Sequence, residues 1–231
     1  IIAFGGGVIG DLAGYIASIY KRGLAYINIP TSLIAQVDSS IGGKVGINYQ
    51  NYKNQIGSIY HPHLVLTDPL FLKTLSSEDL TAGMVEVIKY GVICDKKLFY
   101  SIMNEKYDLT EVIKKSISIK SKITRKDPFD KGLRNLLNLG HTIGHAIEAE
   151  YHLKHGIAVG YGMYLETKNE EIKALLLKMG FDFTKEFKEL DKYIKYDKKI
   201  RDGKILFVDV KRIGRAYLKE ANIDEYIQRI S

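Results

Sequence analysis

Apolar and polar positions divide the chain into two textures. Up to about residue 75, short apolar runs stop at glycine or proline, the pattern of buried strands bounded by turns. Ile1-Ile2-Ala3-Phe4 runs into Gly5-Gly6-Gly7 and predicts a strand. Ile9–Tyr20 predicts a helix with small residues on one side. Leu24–Ile29, stopped by Pro30, predicts a second strand, and Leu64–Leu66 a short third. Strands alternating with a helix imply a parallel sheet. A strand at the very start needs neighbours, so the chain is expected to lack an N-terminal part of that sheet.

Past residue 75 the chain turns to long Lys/Glu/Ile/Leu-rich stretches with helical spacing. Ser76-Ser77-Glu78-Asp79 starts a helix running to about Val92. Further helices are predicted over 96–103, 108–125, 134–150, 157–179 and 184–195. Lys204–Val210 and Arg215–Lys219 alternate and predict a hairpin or a pair of strands. The predicted class is α/β: an α/β piece over residues 1–75, then a mainly helical piece over 76–231.

Composition narrows the function classes. Of 231 residues, 45% are hydrophobic and 26% charged, which excludes a mainly disordered chain. The net charge of +7 is modest and suits nucleic acid, a small anionic substrate or nothing in particular. The basic residues are scattered without aromatic platforms, which argues against nucleic acid. A single cysteine, Cys94, excludes an internal disulfide and a cysteine-only metal site and suits a reducing compartment. No apolar run reaches the ~18 residues of a membrane span. A cytoplasmic location without membrane partners is expected.

Three glycine- or amide-rich segments carry candidate chemistry. Gly5-Gly6-Gly7-Val8-Ile9-Gly10-Asp11 follows a strand and opens a helix. Backbone N–H groups at a helix start attract phosphate, and glycines admit it closely. A tight structural turn would use the same residues. Asp38-Ser39-Ser40-Ile41-Gly42-Gly43-Lys44 and Lys53-Asn54 are read as polar loops. Ligands of open α/β sheets bind beyond the carboxyl ends of strands, where such loops lie. A solvated loop is the plainer alternative for each.

The six histidines fall in two regions, His61 and His63, then His141, His145, His152 and His155. His61, His63 and His152 read as structural or surface residues. His141 and His145, four apart, share a helical face that Glu148 continues, and His155 follows at a loop. Zinc with an open position needs three protein ligands. Spacing favours His141 and His145, with a third ligand downstream or a carboxylate from another helix. Glu86 is the natural carboxylate, because it sits mid-helix in an apolar stretch, three residues before Lys89. Arg134, Asn138 and His141 line one predicted helical face, which suits a substrate carrying carboxylate and hydroxyl groups. Asp197-Lys198-Lys199 alone reads as a solvated charge run.

Taken in order, Gly5–Asp11, Arg22-Gly23, Pro30-Thr31-Ser32-Leu33, Val37–Lys44, Lys53-Asn54, Gly83–Lys89 and Leu136–Glu148 resemble the 3-dehydroquinate synthase family, within the sugar-phosphate cyclases. The resemblance runs from residue 1 to about 200. It implies the remainder of a Rossmann-like NAD-binding domain followed by a helical metal-binding domain, with the active site in the cleft between them. It implies metal ligands Glu86, His141 and His155, in place of the pair that spacing favours, with zinc bound and cobalt an alternative. His145 would then contact the substrate phosphate. Asp38, Lys44, Asn54, Lys89, Lys120, Arg134, Asn138 and Lys198 match substrate-pocket positions. The glycine turn (Gly5, Gly6, Gly7, Val8 and Gly10), Asp11, Thr31, Ser32 and Lys53 match the NAD side, with Asp38 and Lys44 adjoining it. Arg22 matches an arginine reaching the phosphate from a neighbouring subunit, which implies a homodimer.

The reaction implied by the resemblance converts 3-deoxy-D-arabino-heptulosonate 7-phosphate to 3-dehydroquinate. NAD takes and returns hydride around a phosphate elimination, and ring opening and aldol closure follow without net redox change. The family's first strands, which read the adenosine ribose, precede residue 1. An isolated chain of this length is therefore expected to bind NAD weakly. A sister cyclase making another carbocycle and a metal-dependent polyol dehydrogenase are the competing readings.

Overall fold

The computed structural model describes residues 1–50, 52–195 and 200–230; the side chains of Tyr52, Lys53 and Arg201 lie outside the described part. The chain forms two compact units, residues 1–87 with 107–130, and residues 88–106 with 131–231.

The first unit is built on a parallel sheet, as the strand–helix alternation predicts. Strands β1 (Ile2–Gly5), β2 (Ile27–Pro30) and β5 (Leu64–Val65) pair in the order β1-β2-β5, with Ile2 opposite Ile27 and Ile27 opposite Leu64. Helix α1 (Gly7–Ile19) turns a small-residue face inward, burying Gly10, Gly14 and Ala17. A Cβ on Gly14 would lie 2.5 Å from Val45 and 2.9 Å from the Tyr26 hydroxyl, so the helix seats against its neighbours only because that position is glycine.

Lys53-Asn54 and the end of the Asp38–Lys44 segment, predicted as polar loops, belong to strands over residues 44–49 and 52–59. They form an antiparallel hairpin of β3 (Lys44–Tyr49) and β4 (Tyr52–Ile59). Gly46 and Gly57 face each other in register; a Cβ on Gly57 would meet the Val45 carbonyl oxygen at 2.4 Å. Two glycines and several amides mask the strand pattern in the sequence. Helix α4 (Leu109–Lys126) also belongs to this unit. Its cap, Asp108, accepts a hydrogen bond from Glu111 N–H at 2.9 Å. Helix α2 (Ser77–Cys94) contributes its first half here, where Gly83 lets it close on Leu33.

The second unit holds the end of α2, then α3 (Lys96–Met103), α5 (His141–Tyr151), α6 (His155–Thr167), α7 (Glu170–Lys178) and the short α8 (Asp191–Ile194). Two predicted helices are each broken in two. The 134–150 stretch is a tight 3₁₀ turn over Leu133–Asn138 and then α5, separated by Gly140 in the left-handed conformation at φ 73°. The 157–179 stretch stops at Lys168, φ 50°, and restarts behind Asn169, whose side chain caps α7. Only Asp191–Ile194 of the predicted 184–195 helix is helical. The predicted hairpin is present as β7 (Lys204–Arg212) and β8 (Arg215–Asn222), joined at one edge by β6 (Ile200–Arg201) and followed by α9 (Ile223–Ile230).

Helices α5 and α6 meet backbone to backbone. A Cβ on Gly162 would lie 2.1 Å from the Gly140 carbonyl oxygen, and one on Gly144 would lie 2.9 Å from Val159 Cα. Neither obstacle is a side-chain tip that could swing aside. Gly162→Ala is therefore expected to destabilise the protein by about 3 kcal/mol or more, read as a lowered thermal midpoint. An unchanged midpoint would mean the two helices are not this close. Among the described residues, no helix is long and apolar enough to cross a membrane.

Candidate metal and cofactor sites

The close crossing of α5 and α6 brings three imidazoles together in the second unit. His141 and His145 project from successive turns of α5, and His155 from the first turn of α6. Their ring centroids are 5.6 Å apart for His141–His145, 5.3 Å for His141–His155 and 5.6 Å for His145–His155. The histidine pair favoured by spacing and the histidine pair implied by resemblance thus lie in one cluster.

The ring tautomers fit metal ligation. His141 Nδ1 lies 3.0 Å from the Leu139 carbonyl oxygen, an acceptor only, so Nδ1 carries the proton and the lone pair is on Nε2. His155 Nδ1 lies 3.2 Å from Glu148 Oε2, which commits that ring in the same way. Burial, with help from the positive charge of Lys89, pushes the His141 imidazole well below its usual pKa and keeps it neutral. A neutral, oriented imidazole is what a metal binds. His145, Glu148 and His155 also offer ligand atoms within 4.8 Å of one another. His145 itself is exposed, and His152 is the left-handed cap that ends α5.

Other residues named from the sequence also lie in this unit. Lys89, 1% exposed, stands on α2 with Nζ 5.3 Å from the Tyr90 ring centroid. Arg134 is buried in the 3₁₀ turn, and Asn138 in the same turn donates from Nδ2 to Asn135 Oδ1 at 3.1 Å. Arg134, Asn138 and His141 do not share one helical face, because Gly140 breaks the helix between them. Lys198 lies outside the described residues.

The first unit gathers the glycine turn and a charged cluster. Gly6 is the cap of α1; a Cβ there would lie 3.4 Å from Ser32 Oγ, and one on Gly7 would lie 3.0 Å from Ser39 Oγ. Ser32 Oγ is buried without a hydrogen-bond partner among the described residues. A bare backbone helix start beside an orphaned hydroxyl fits a phosphate-bearing ligand. Thr31 N–H ties β2 to the turn by donating to the Gly5 carbonyl oxygen at 2.9 Å. Gly10 packs against the Asn28 amide, and Val8 is exposed. Arg22 is exposed in a left-handed conformation, φ 66°.

Asp38 lies in a π-helical turn, Ala35–Ser39. Lys120, buried on α4, donates from Nζ to the Asp38 backbone oxygen and to its Oδ1, both at 2.7 Å. Lys44, at the start of β3, pairs with Asp130. Asp130 has no signature in the sequence: it lies two residues after Pro128 in a loop and carries no spacing signal. Asn54 stands on β4 with φ 50°, its N–H bonded to Asn48 Oδ1 at 3.0 Å; the side chain of Lys53 is outside the described part. Glu86, on α2, is completely buried.

Burial raises the Asp11 carboxyl to about 6 against the opposing pull of Lys120, and the charge of Asp38 adds to the rise. In the unfolded chain Asp11 titrates near 4. As pH rises from 4 to 6 the unfolded state loses this proton first, so the group lowers stability across that window and keeps it lowered above. Asp11→Asn is expected to gain stability over the parent progressively from pH 4 to 6, then hold a constant advantage to pH 8. A stability difference that does not vary with pH would contradict the raised carboxyl.

Comparison with known proteins decides the family. The family model for the 3-dehydroquinate synthase N-terminal domain matches residues 1–82, and the model for the C-terminal domain matches residues 83–200. The chain belongs to the 3-dehydroquinate synthase family. The 3-dehydroquinate synthase of Dictyoglomus thermophilum is 45% identical over 97% of this chain and 70% of its own length. Among solved structures, 2-epi-5-epi-valiolone synthase from Streptomyces hygroscopicus subsp. jinggangensis, with NAD+ and Zn2+ bound, matches 99% of this chain and 72% of its own with a TM-score of 0.86 at 25% identity. A 2-deoxy-scyllo-inosose synthase, complexed with carbaglucose-6-phosphate, NAD+ and Co2+, matches 100% of this chain and 72% of its own with a TM-score of 0.84 at 25% identity. The α/β fold with a parallel sheet and a helical part is that of the sugar-phosphate cyclases.

Proposed function

We propose that this chain carries the machinery of a 3-dehydroquinate synthase: an NAD- and divalent-metal-dependent carbon–oxygen lyase that converts 3-deoxy-D-arabino-heptulosonate 7-phosphate to 3-dehydroquinate and phosphate. The observation that carries this reading is the triangle of imidazoles, two of them oriented by ring hydrogen bonds, in a chain that the family's two models match from residue 1 to 200. Residues 1–75 serve the cofactor and contribute Arg22, Asp38, Lys44 and Asn54 toward the substrate; residues 76–231 serve the metal and the rest of the substrate.

Glu86, His141 and His155 hold the metal, zinc or cobalt. One carboxylate and two imidazoles are a donor set that binds either ion and leaves a position open. The glycine turn, Asp11, Thr31, Ser32 and Lys53 hold NAD, and the orphaned Ser32 hydroxyl supports this. When bound, NAD supplies a reversible hydride acceptor and the metal a Lewis acid for the hydroxyl being oxidised. Lys44, Lys89 and His145 stabilise the departing phosphate. Arg134, with its two-pronged guanidinium, grips the substrate carboxylate. Asp38, Asn54, Lys120, Asn138 and Lys198 complete the substrate contacts. Arg22 reaches the phosphate of a neighbouring subunit in a homodimer. The enzyme works in the cytoplasm, where a lone exposed Cys94 stays reduced.

Substrate choice tests the assignment. The full-length protein is expected to release phosphate from the heptulosonate phosphate, in a reaction that needs NAD. Turnover only of a sugar phosphate lacking the carboxylate would move the assignment to a sister cyclase.

A further inference from the structure

Glu166 is a carboxylate on α6 with 1% exposure. A buried charge must be compensated. Its Oε2 accepts the Gly140 N–H at 2.6 Å, and its Oε1 accepts the Tyr226 hydroxyl at 2.8 Å. Gly140 is the left-handed cap at the start of α5, directly before His141. The N–H group that Glu166 takes belongs to a helix start, where a negative charge is favoured.

The rest of the segment leaves Gly140 little freedom. A Cβ there would strike Met163 N at 2.6 Å and the Val159 carbonyl oxygen at 2.8 Å, so α6 walls it in. His141 Nδ1 is tied to Leu139, the residue on the other side of Gly140. A swing of the Gly140 peptide would therefore move the imidazole and its acceptor together. Tyr226 comes from α9, outside the part that the family's C-terminal model matches. It is 1% exposed, and its ring lies 5.3 Å from that of Phe207. Lys168 Nζ adds a second tie to α9, donating to the Ile230 carbonyl oxygen at 3.0 Å.

We propose that Glu166 and Tyr226 are positioning residues for His141: the carboxylate fixes the Gly140 peptide, and the α9 tyrosine fixes the carboxylate. The consequence for metal binding rests on the reading of His141 as a ligand. Three variants of the full-length protein separate the contributions. Glu166→Ala removes both bonds. Glu166→Gln can accept from Gly140 through its carbonyl and donate to the tyrosine oxygen through its amide. Tyr226→Phe removes one bond.

Amide hydrogen exchange at Gly140 and Co2+ titration with the visible spectrum are the two readouts. Glu166→Ala is expected to speed exchange at Gly140 by about 10-fold or more, with amides of α3 unchanged, because the opening is local. Its Co2+ affinity should fall by about 10–100-fold, the usual effect of losing an outer-shell partner, with an altered spectrum. Glu166→Gln should stay within about 3-fold of the parent, and Tyr226→Phe should fall between the two. Parent-like Gly140 exchange and a parent-like Co2+ spectrum in Glu166→Ala would overturn the proposal. If that variant does not fold, a Tyr226→Phe protein indistinguishable from the parent overturns it. If the parent itself binds no Co2+, the ligand reading of His141 fails, and Gly140 exchange alone decides the positioning role.

Discussion

His141→Ala is expected to abolish tight divalent-metal binding and to lower phosphate release by about 10³-fold. Lewis-acid stabilisation contributes several kcal/mol to such a transition state, and each ~1.4 kcal/mol is tenfold in rate. The effect should fall on chemistry, not on folding. The His141 ring bonds to a carbonyl two residues away, and the α5–α6 crossing rests on glycines rather than on the imidazole. The thermal midpoint of the metal-free protein should therefore change little. His152→Ala is the matched control, since His152 is exposed at the far end of the same helix. Metal titration followed by a phosphate assay reads both. A His141→Ala protein that binds metal like the parent would remove this residue from the ligand set.

Lys120→Met is expected to act on folding as well as activity. The Lys120 ammonium is buried and holds Asp38 twice, at the carboxylate and at the backbone oxygen of the π-helical turn. Breaking a buried pair leaves the partner charge uncompensated and costs about 3–5 kcal/mol. Asp38 retains some solvent access, which brings the expected loss to about 2–3 kcal/mol. At roughly 2–4 °C per kcal/mol for a chain of this size, the thermal midpoint should fall by about 5–10 °C. Methionine keeps most of the aliphatic stem, so this change isolates the charge. The Asp11 carboxyl should also rise further, because the Lys120 charge pulls it down. An unchanged midpoint would mean that solvent, not Lys120, satisfies Asp38.

Much of this was legible in the sequence where one rule governed the residues. The parallel strands stop at Gly5 and Pro30 because the runs are apolar and the breakers unambiguous. The C-terminal hairpin keeps a clean alternation and emerged as predicted. The β3–β4 hairpin was hidden because its facing glycines and amides imitate a polar loop. The helices around 140 and 168 were over-extended because periodicity cannot register a single left-handed residue, above all at Lys168, where no glycine announces it. At the candidate site, histidines four apart and a carboxylate in an apolar helix stand out in the sequence because these residue types have few uses in such places. Asp130 and Glu166 were missed for the opposite reason. Each is an ordinary acidic residue in sequence and becomes informative only when folding brings it to Lys44 or to Gly140.

In the proposed function NAD is a recycled cofactor of a phosphate-eliminating cyclase. The most direct test follows phosphate release and reduced nicotinamide together, at steady state, on the full-length protein with heptulosonate phosphate and a divalent metal. Expected is steady release of phosphate with no accumulation of NADH. NADH rising in step with substrate consumption, without phosphate release, would contradict it and mark a polyol dehydrogenase instead.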